Sequence, residues 1–249
     1  MTERGRVRVE SGRKRVRGIV GGEVVVDTDA PLLVWEKPYY PTYYFPADGV
    51  RTDVLVDTGE TSRTPSRGTA RVYSIVTEDF EIDGAVLGYD DSPIAQLNGT
   101  FRVEWGAMDH WFEEDEEVYV HPRDPYKRVD SLRSSRHVVV SIDGVEVANS
   151  TSPVILFETG LPPRYYLPKT DVRMELLVPS DTSTACPYKG TAEYWSVQVG
   201  DTVHEDIVWS YPFPARESEP IAGLVCFYNE KVDVTLDGRP LERPETLFS

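Results

Sequence analysis

The segment Cys186-Pro187-Tyr188-Lys189-Gly190 sets a thiol three residues from an ammonium, at the entrance to a run that continues with Tyr194-Trp195. A nearby cation favours the thiolate, the form in which cysteine is a nucleophile, so Cys186 and Lys189 are candidate catalytic residues. The same residues also fit a cysteine packed as a small hydrophobe beside a salt-bridged lysine. Trp209-Ser210-Tyr211 sets two aromatics one residue apart, which on a strand turns both rings to one side. Such a pair can wall a flat or cationic ligand, or simply pack a core. Tyr166, Glu158 and Arg173 complete the candidate ligand contacts, with Arg173 and Lys189 as anion-binding groups.

These residues belong to the second of two copies. Tyr43-Tyr44-Phe45-Pro46 with Val50-Arg51 returns 122 residues later as Tyr165-Tyr166-Leu167-Pro168 with Val172-Arg173. Between Gly22 and Tyr89 the copies are identical at 20 of 68 positions without a gap. The period exceeds the roughly 20–50 residues of solenoid units, so two whole domains are expected, 1–130 and 131–249. The polar segment Ser131–Arg136 is the expected junction. In the first copy Thr64, Arg67 and Leu87 stand where the second has Cys186, Lys189 and Trp209, the pattern of a degenerate first site. Glu36 with Glu158, and Arg51 with Arg173, are shared by both copies and fit structural ion pairs.

The elements that must position these side chains read as strands. Val138–Ile142 and Val145–Ala148 flank Asp143-Gly144, a strong hairpin signal, and Gly21-Gly22 takes the same place in copy one. Further strands are expected at Val154–Glu158, Arg164–Leu167, Met174–Val178, Glu193–Val199 and Val225–Val234. One short helix per copy is expected where Ser92-Pro93 and Ser218-Glu219-Pro220 occur. The fold class is therefore all-β.

Composition narrows the function. A net charge of −16 disfavours nucleic acid, whose recognition rests on neutralising phosphates. Seven basic residues up to Gly18 (Arg4, Arg6, Arg8, Arg13, Lys14, Arg15, Arg17) face only Glu3 and Glu10 and are expected to lie on the acidic body. No apolar run is long enough to span a bilayer and the first residues lack a secretory apolar core, so a cytoplasmic chain with no membrane partner is expected. Two cysteines and four scattered histidines offer no zinc set, and no metal or cofactor is expected. The run Glu113-Glu114-Asp115-Glu116-Glu117 lacks the pattern of a dedicated cation loop and reads as a solvated face. In the following segment, His121, Arg123, Asp124 and Tyr126 are candidates for an inter-domain contact. Phosphate-loop, dinucleotide, serine-elbow and His-Glu-x-x-His motifs are absent.

Over Pro162–Pro168, Asp171-Val172-Arg173, Cys186–Gly190, Tyr194-Trp195-Ser196 and Trp209-Ser210-Tyr211, the second copy resembles the bacterial domain of unknown function 427 family. Trp111–Glu117 with His121–Tyr126 is similar to the middle of its tandem members. The resemblance implies two tandem β-tent (Mss4-like) domains, each with at most one short helix. It also brings a nucleotidyltransferase-like label, but the Gly-Ser followed by Asp-x-Asp of such enzymes is absent. The expectation is a pocket for an anionic or planar metabolite in the second repeat. A Cys186-dependent enzyme and a protein-interaction module without ligand are the alternatives, and the oligomeric state is left open.

Overall fold

The structure is a computed structural model describing residues 7–246 and Ser249; Glu3, Arg4 and Arg6 of the basic segment lie outside the described residues. The chain divides into two compact units, Met1–Asp124 and Pro125–Ser249. The first carries β1 (Arg8–Ser11), β2 (Val16–Val20), β3 (Glu23–Thr28), β4 (Leu32–Trp35), β5 (Thr42–Pro46) and β6 (Leu55–Thr64). It continues with β7 (Gly68–Val76), β8 (Glu81–Asp91), β9 (Thr100–Val103), β10 (His110–Glu113) and β11 (Glu116–Glu117). The second carries β12 (Val129–Arg133), β13 (Val138–Ile142), β14 (Val145–Ser150), β15 (Val154–Glu158), β16 (Arg164–Leu167) and β17 (Leu177–Cys186). Then follow β18 (Gly190–Val199), β19 (Thr202–Ser210), β20 (Val225–Phe227), β21 (Asp233–Leu236) and β22 (Arg239–Pro240).

Each unit pairs a seven-stranded sheet with a four-stranded one. The large sheets run β1-β4-β5-β9-β8-β7-β6 and β12-β15-β16-β20-β19-β18-β17, the small ones β11-β10-β2-β3 and β14-β13-β21-β22. The hairpin signals hold because the turn residues adopt the left-handed region: Asp143 and Gly144 at φ 51° and 78°, Gly21 and Gly22 at 57° and 78°. Alternation does the rest, with Val138, Val140 and Ile142 buried between half-buried neighbours, as are Val16, Gly18 and Val20.

Several boundaries differ from expectation. Met174–Leu176 forms a 3₁₀ turn before β17, and the run Val225–Val234 breaks at Tyr228 to Val232 into two strands that join different sheets. Ser131–Arg133, read as junction, belongs to edge strand β12, paired with β15. The helix signals yield only 3₁₀ turns, Ala95–Leu97 and Arg216–Ile221. The Ser92 hydroxyl accepts from the Ile94 N–H, forming a serine turn rather than a helix cap. No helix among the described residues is long and apolar enough to cross a membrane.

Each large sheet buries both faces. In the second unit one face meets the small sheet over Val138, Val140, Leu167, Val208, Val225 and Phe227. The opposite face carries a separate cluster of Leu156, Tyr166, Tyr194, Trp209, Tyr211 and Cys226. The first unit repeats the plan, with Val34, Tyr44, Ala70, Tyr89 and Leu97 on its second face.

In the first unit the basic residues find local carboxylates. Lys14 binds Glu113 at 2.5 Å, Arg15 binds Asp27 at 2.5 Å and Arg17 binds Asp115 at 2.7 Å. The acidic run is a turn between β10 and β11 rather than a uniformly solvated face: Glu113 is buried and also accepts from the Tyr43 hydroxyl at 2.5 Å.

Candidate functional site

The second face of the large sheet in the second unit is a row of aromatics around one thiol. Tyr166 pairs in register with Cys226, Cys226 with Trp209, and Trp209 with Tyr194, so their side chains share one face. Tyr211 joins them, as two-residue alternation requires after Trp209. Trp209 stands edge-on to Tyr166 (centroids 6.2 Å apart, interplanar angle 89°) and donates its Nε1–H to the Tyr166 hydroxyl at 3.1 Å. Tyr228 closes over Trp209 with ring centroids 4.5 Å apart.

Lys189 reaches this face from the turn between β17 and β18. Cys186 pairs with Gly190 across the turn, and the Lys189 N–H donates to the Cys186 carbonyl at 3.4 Å. Gly190 sits at φ 93°, and a Cβ there would come within 3.0 Å of the Phe213 carbonyl, so only glycine fits this close approach without strain. The Ala215 N–H donates to the Lys189 carbonyl at 3.1 Å, and the Ser218 hydroxyl to the Tyr188 carbonyl at 3.2 Å. Ser218 thus fixes the turn that carries Lys189. The Lys189 ammonium hydrogen-bonds Glu158, and the two side chains are only 12% and 9% exposed. Burial pulls the Lys189 pKa down, but Cys186 and Glu158 outweigh it and leave the group above its ordinary value, hence charged. Cys186 is half-buried and unbridged. Cys226 is fully buried, and burial pushes its thiol up to about 12.

Arg164 is the charged member that sequence reasoning missed. Its guanidinium forms a bidentate pair with Glu230 at 2.5 and 2.7 Å, with side chains 8% and 0% exposed. It also lies 5.6 Å from the centroids of both Trp209 and Tyr228. Burial alone would raise the Glu230 carboxyl, but the Arg164 and Thr246 hydrogen bonds hold it below its ordinary value. The available signal was spacing: Arg164 is two residues before Tyr166 on a strand and so shares its face.

Together these groups surround a cavity of about 340 Å³. Six of the expected contacts, Glu158, Tyr166, Cys186, Lys189, Trp209 and Tyr211, line it, joined by Arg164, Tyr194 and Tyr228. Arg173 does not. It sits half-exposed before a 3₁₀ turn and pairs with Glu175 at 2.8 Å, because the Val172-Arg173 segment serves the small-sheet side of the unit. Of the residues expected to link the repeats, His121 stacks on Tyr40 with centroids 3.8 Å apart, and Asp124 accepts from Trp35 Nε1 at 3.1 Å. Both partners belong to the first unit. Arg123 and Tyr126 flank the division between the units. No group of three metal-ligating side chains occurs among the described residues.

In the first unit the matching place is filled. Arg102 pairs in register with Leu87, as Cys226 does with Trp209. From this position its guanidinium binds Glu36 at 2.9 Å. Glu36 also pairs with Arg67 and accepts from the Tyr44 hydroxyl at 2.7 Å. A smaller cavity of about 200 Å³ includes Glu36 and Arg102 but is walled by Tyr40, Tyr43, Trp105, Trp111 and His121, not by Tyr44 or Tyr89.

The profile of the family described as "Domain of unknown function (DUF427)" matches residues 8–114 and again 130–238. The chain belongs to this family. Both DUF427 matches fall one to a compact unit, so the duplication read in the sequence is a duplication of the family domain. No curated protein matches the chain at a significant level.

Proposed function

We propose that the second DUF427 unit is a binding domain for a small planar metabolite, acting in the cytoplasm. The observation that carries this reading is the cavity itself: Tyr166, Tyr194, Trp209, Tyr211 and Tyr228 surround it, and two buried ion pairs, Lys189 with Glu158 and Arg164 with Glu230, fix its polar edges. A partly apolar, preformed hollow with a few convergent polar groups is the usual form of a small-ligand site. At about 340 Å³ it suits a ligand near the small end of that range. Aromatic walls favour a flat ligand. Both cations already face carboxylates, so an anion would gain less here than two free cations would offer. Two unbridged cysteines fit a reducing compartment.

A catalytic reading is favoured by one observation: Cys186 lines the cavity beside Lys189, where a substrate in the cavity could meet its sulfur. Turnover at Cys186 would leave a covalent adduct on that thiol during the reaction, which intact-mass measurement would detect.

The binding reading is tested by native mass spectrometry of protein purified without denaturation. A retained molecule should be lost in Trp209→Ala and Lys189→Ala and kept in Arg67→Ala. Loss in Arg67→Ala alone would move the site to the first unit.

A further inference from the structure

The two units carry one site in two states, and the filled one describes what the open one lacks. In the first unit the Glu36 carboxylate has three partners: Tyr44, Arg67 and Arg102. Its counterpart Glu158 has one. Lys189 replaces Arg67 as the paired cation, whereas the Tyr166 hydroxyl now accepts from Trp209, and Cys226 stands where Arg102 stood. No other hydrogen bond reaches Glu158 among the described residues, although its side chain is only 9% exposed. Tyr211, 5% exposed and beside Cys186 and Glu158, likewise has no hydrogen bond on its hydroxyl among them. Glu158 therefore keeps acceptor capacity at the edge of the cavity that it lines.

From this comparison, and resting on the binding reading above, we propose that the ligand of the second unit presents a planar N–H donor edge, amidinium- or guanidinium-like, to Glu158. The ligand takes the place that the Arg102 guanidinium holds in the first unit. Three features meet in such a group. Its N–H donors match the acceptor capacity left on Glu158, and a carboxylate shared between two cations is already built around Glu36, between Arg67 and Arg102. Its flat face suits the slot bounded by Trp209 and Tyr211, where an aromatic face also attracts a cation. Its plane takes the register position from which Cys226, in place of Arg102, reaches no carboxylate. An anionic ligand would have to approach Glu158 and compete with it for Lys189.

Calorimetric titration of the whole chain with benzamidinium, benzamide and benzoate separates the possibilities. The three probes share a ring and differ in edge chemistry. Benzamidinium should bind at least tenfold more tightly than benzoate, and Glu158→Gln should erase that preference while leaving the melting temperature of the first unit unchanged. Cys226→Arg, which restores the first unit's arrangement, should abolish binding of benzamidinium. If benzoate binds more tightly than benzamidinium to the unmodified chain, the donor-edge proposal falls and the pocket reading survives. If none of the three binds, both fall. The comparison on the unmodified chain decides the matter even where a variant fails to fold.

Discussion

At the scale of single residues, the two cysteines report on the two sides of the aromatic cluster. Cys226 lies at 0% exposure with its thiol pushed up to about 12 by burial, so it is held as the neutral thiol in neutral buffer. Cys186 is half-buried at the cavity beside an ammonium. A thiol-directed reagent on the native chain should therefore modify Cys186 alone, with Cys226 reacting only after unfolding. Equal labelling of both in native buffer would contradict the burial of the β20 row. The sequence placed Cys226 in an apolar run and Cys186 beside Lys189, and so separated the two thiols correctly. It did not show that Cys226 and Arg102 are counterparts, because the fixed offset of 122 that aligns the earlier strands becomes 124 after the loop that precedes β9 and β20. Only strand register makes that correspondence visible.

At the scale of elements, the turn from Cys186 to Gly190 aims Lys189, and a loop distant in sequence holds the turn. Gly190→Ala would force a Cβ toward the Phe213 carbonyl at a positive φ, and should cost about 1–2 kcal/mol while displacing the ammonium from Glu158. Gly68→Ala meets Pro93 Cδ at 2.7 Å in the first unit at φ 81° and should destabilise by a similar amount. Chemical denaturation would measure both costs. Ligand retention should fail only in Gly190→Ala; retention in both variants would show that the turn does not position the site. The hairpins around Asp143-Gly144 and Gly21-Gly22 were legible because turn type is a local matter of φ. The 3₁₀ turns were over-read as helices, since Ser before Pro starts a turn whether or not a helix follows.

At the scale of the whole molecule, acid sensitivity separates the general charge from one buried pair. The chain carries −16 at neutral pH, so mild acidification relieves self-repulsion. The Glu230 carboxyl acts oppositely. Its folded pKa lies below the ordinary 4.5, so its stabilisation is fully present above that value and is lost as pH falls through the folded pKa. Glu230→Gln removes the carboxylate from the buried Arg164 guanidinium, which keeps Asn229, and should cost about 3–5 kcal/mol at pH 7. That difference from the unmodified chain should shrink as the pH drops below 4.5, as followed by calorimetric melting. A difference constant from pH 7 to pH 3 would show that folding does not lower the Glu230 pKa.

The amino-acid sequence by itself determined the duplication, the all-β class, the hairpin turns and most of the side chains around the cavity, because each rests on local periodicity or on identity at a constant spacing. It left Arg173 open between a ligand contact and an ion pair; its match with Arg51 marks a shared position at the small-sheet side, where it pairs with Glu175. Spacing puts Arg164 on the Tyr166 face, but the tertiary structure alone decided that its charge is held by Glu230 66 residues away and that Arg102 fills in one unit the place left open in the other. Those facts depend on which strands lie side by side. Cross-strand neighbours are set by sheet order and register, and the order β16-β20-β19-β18 brings together residues that no local spacing relates.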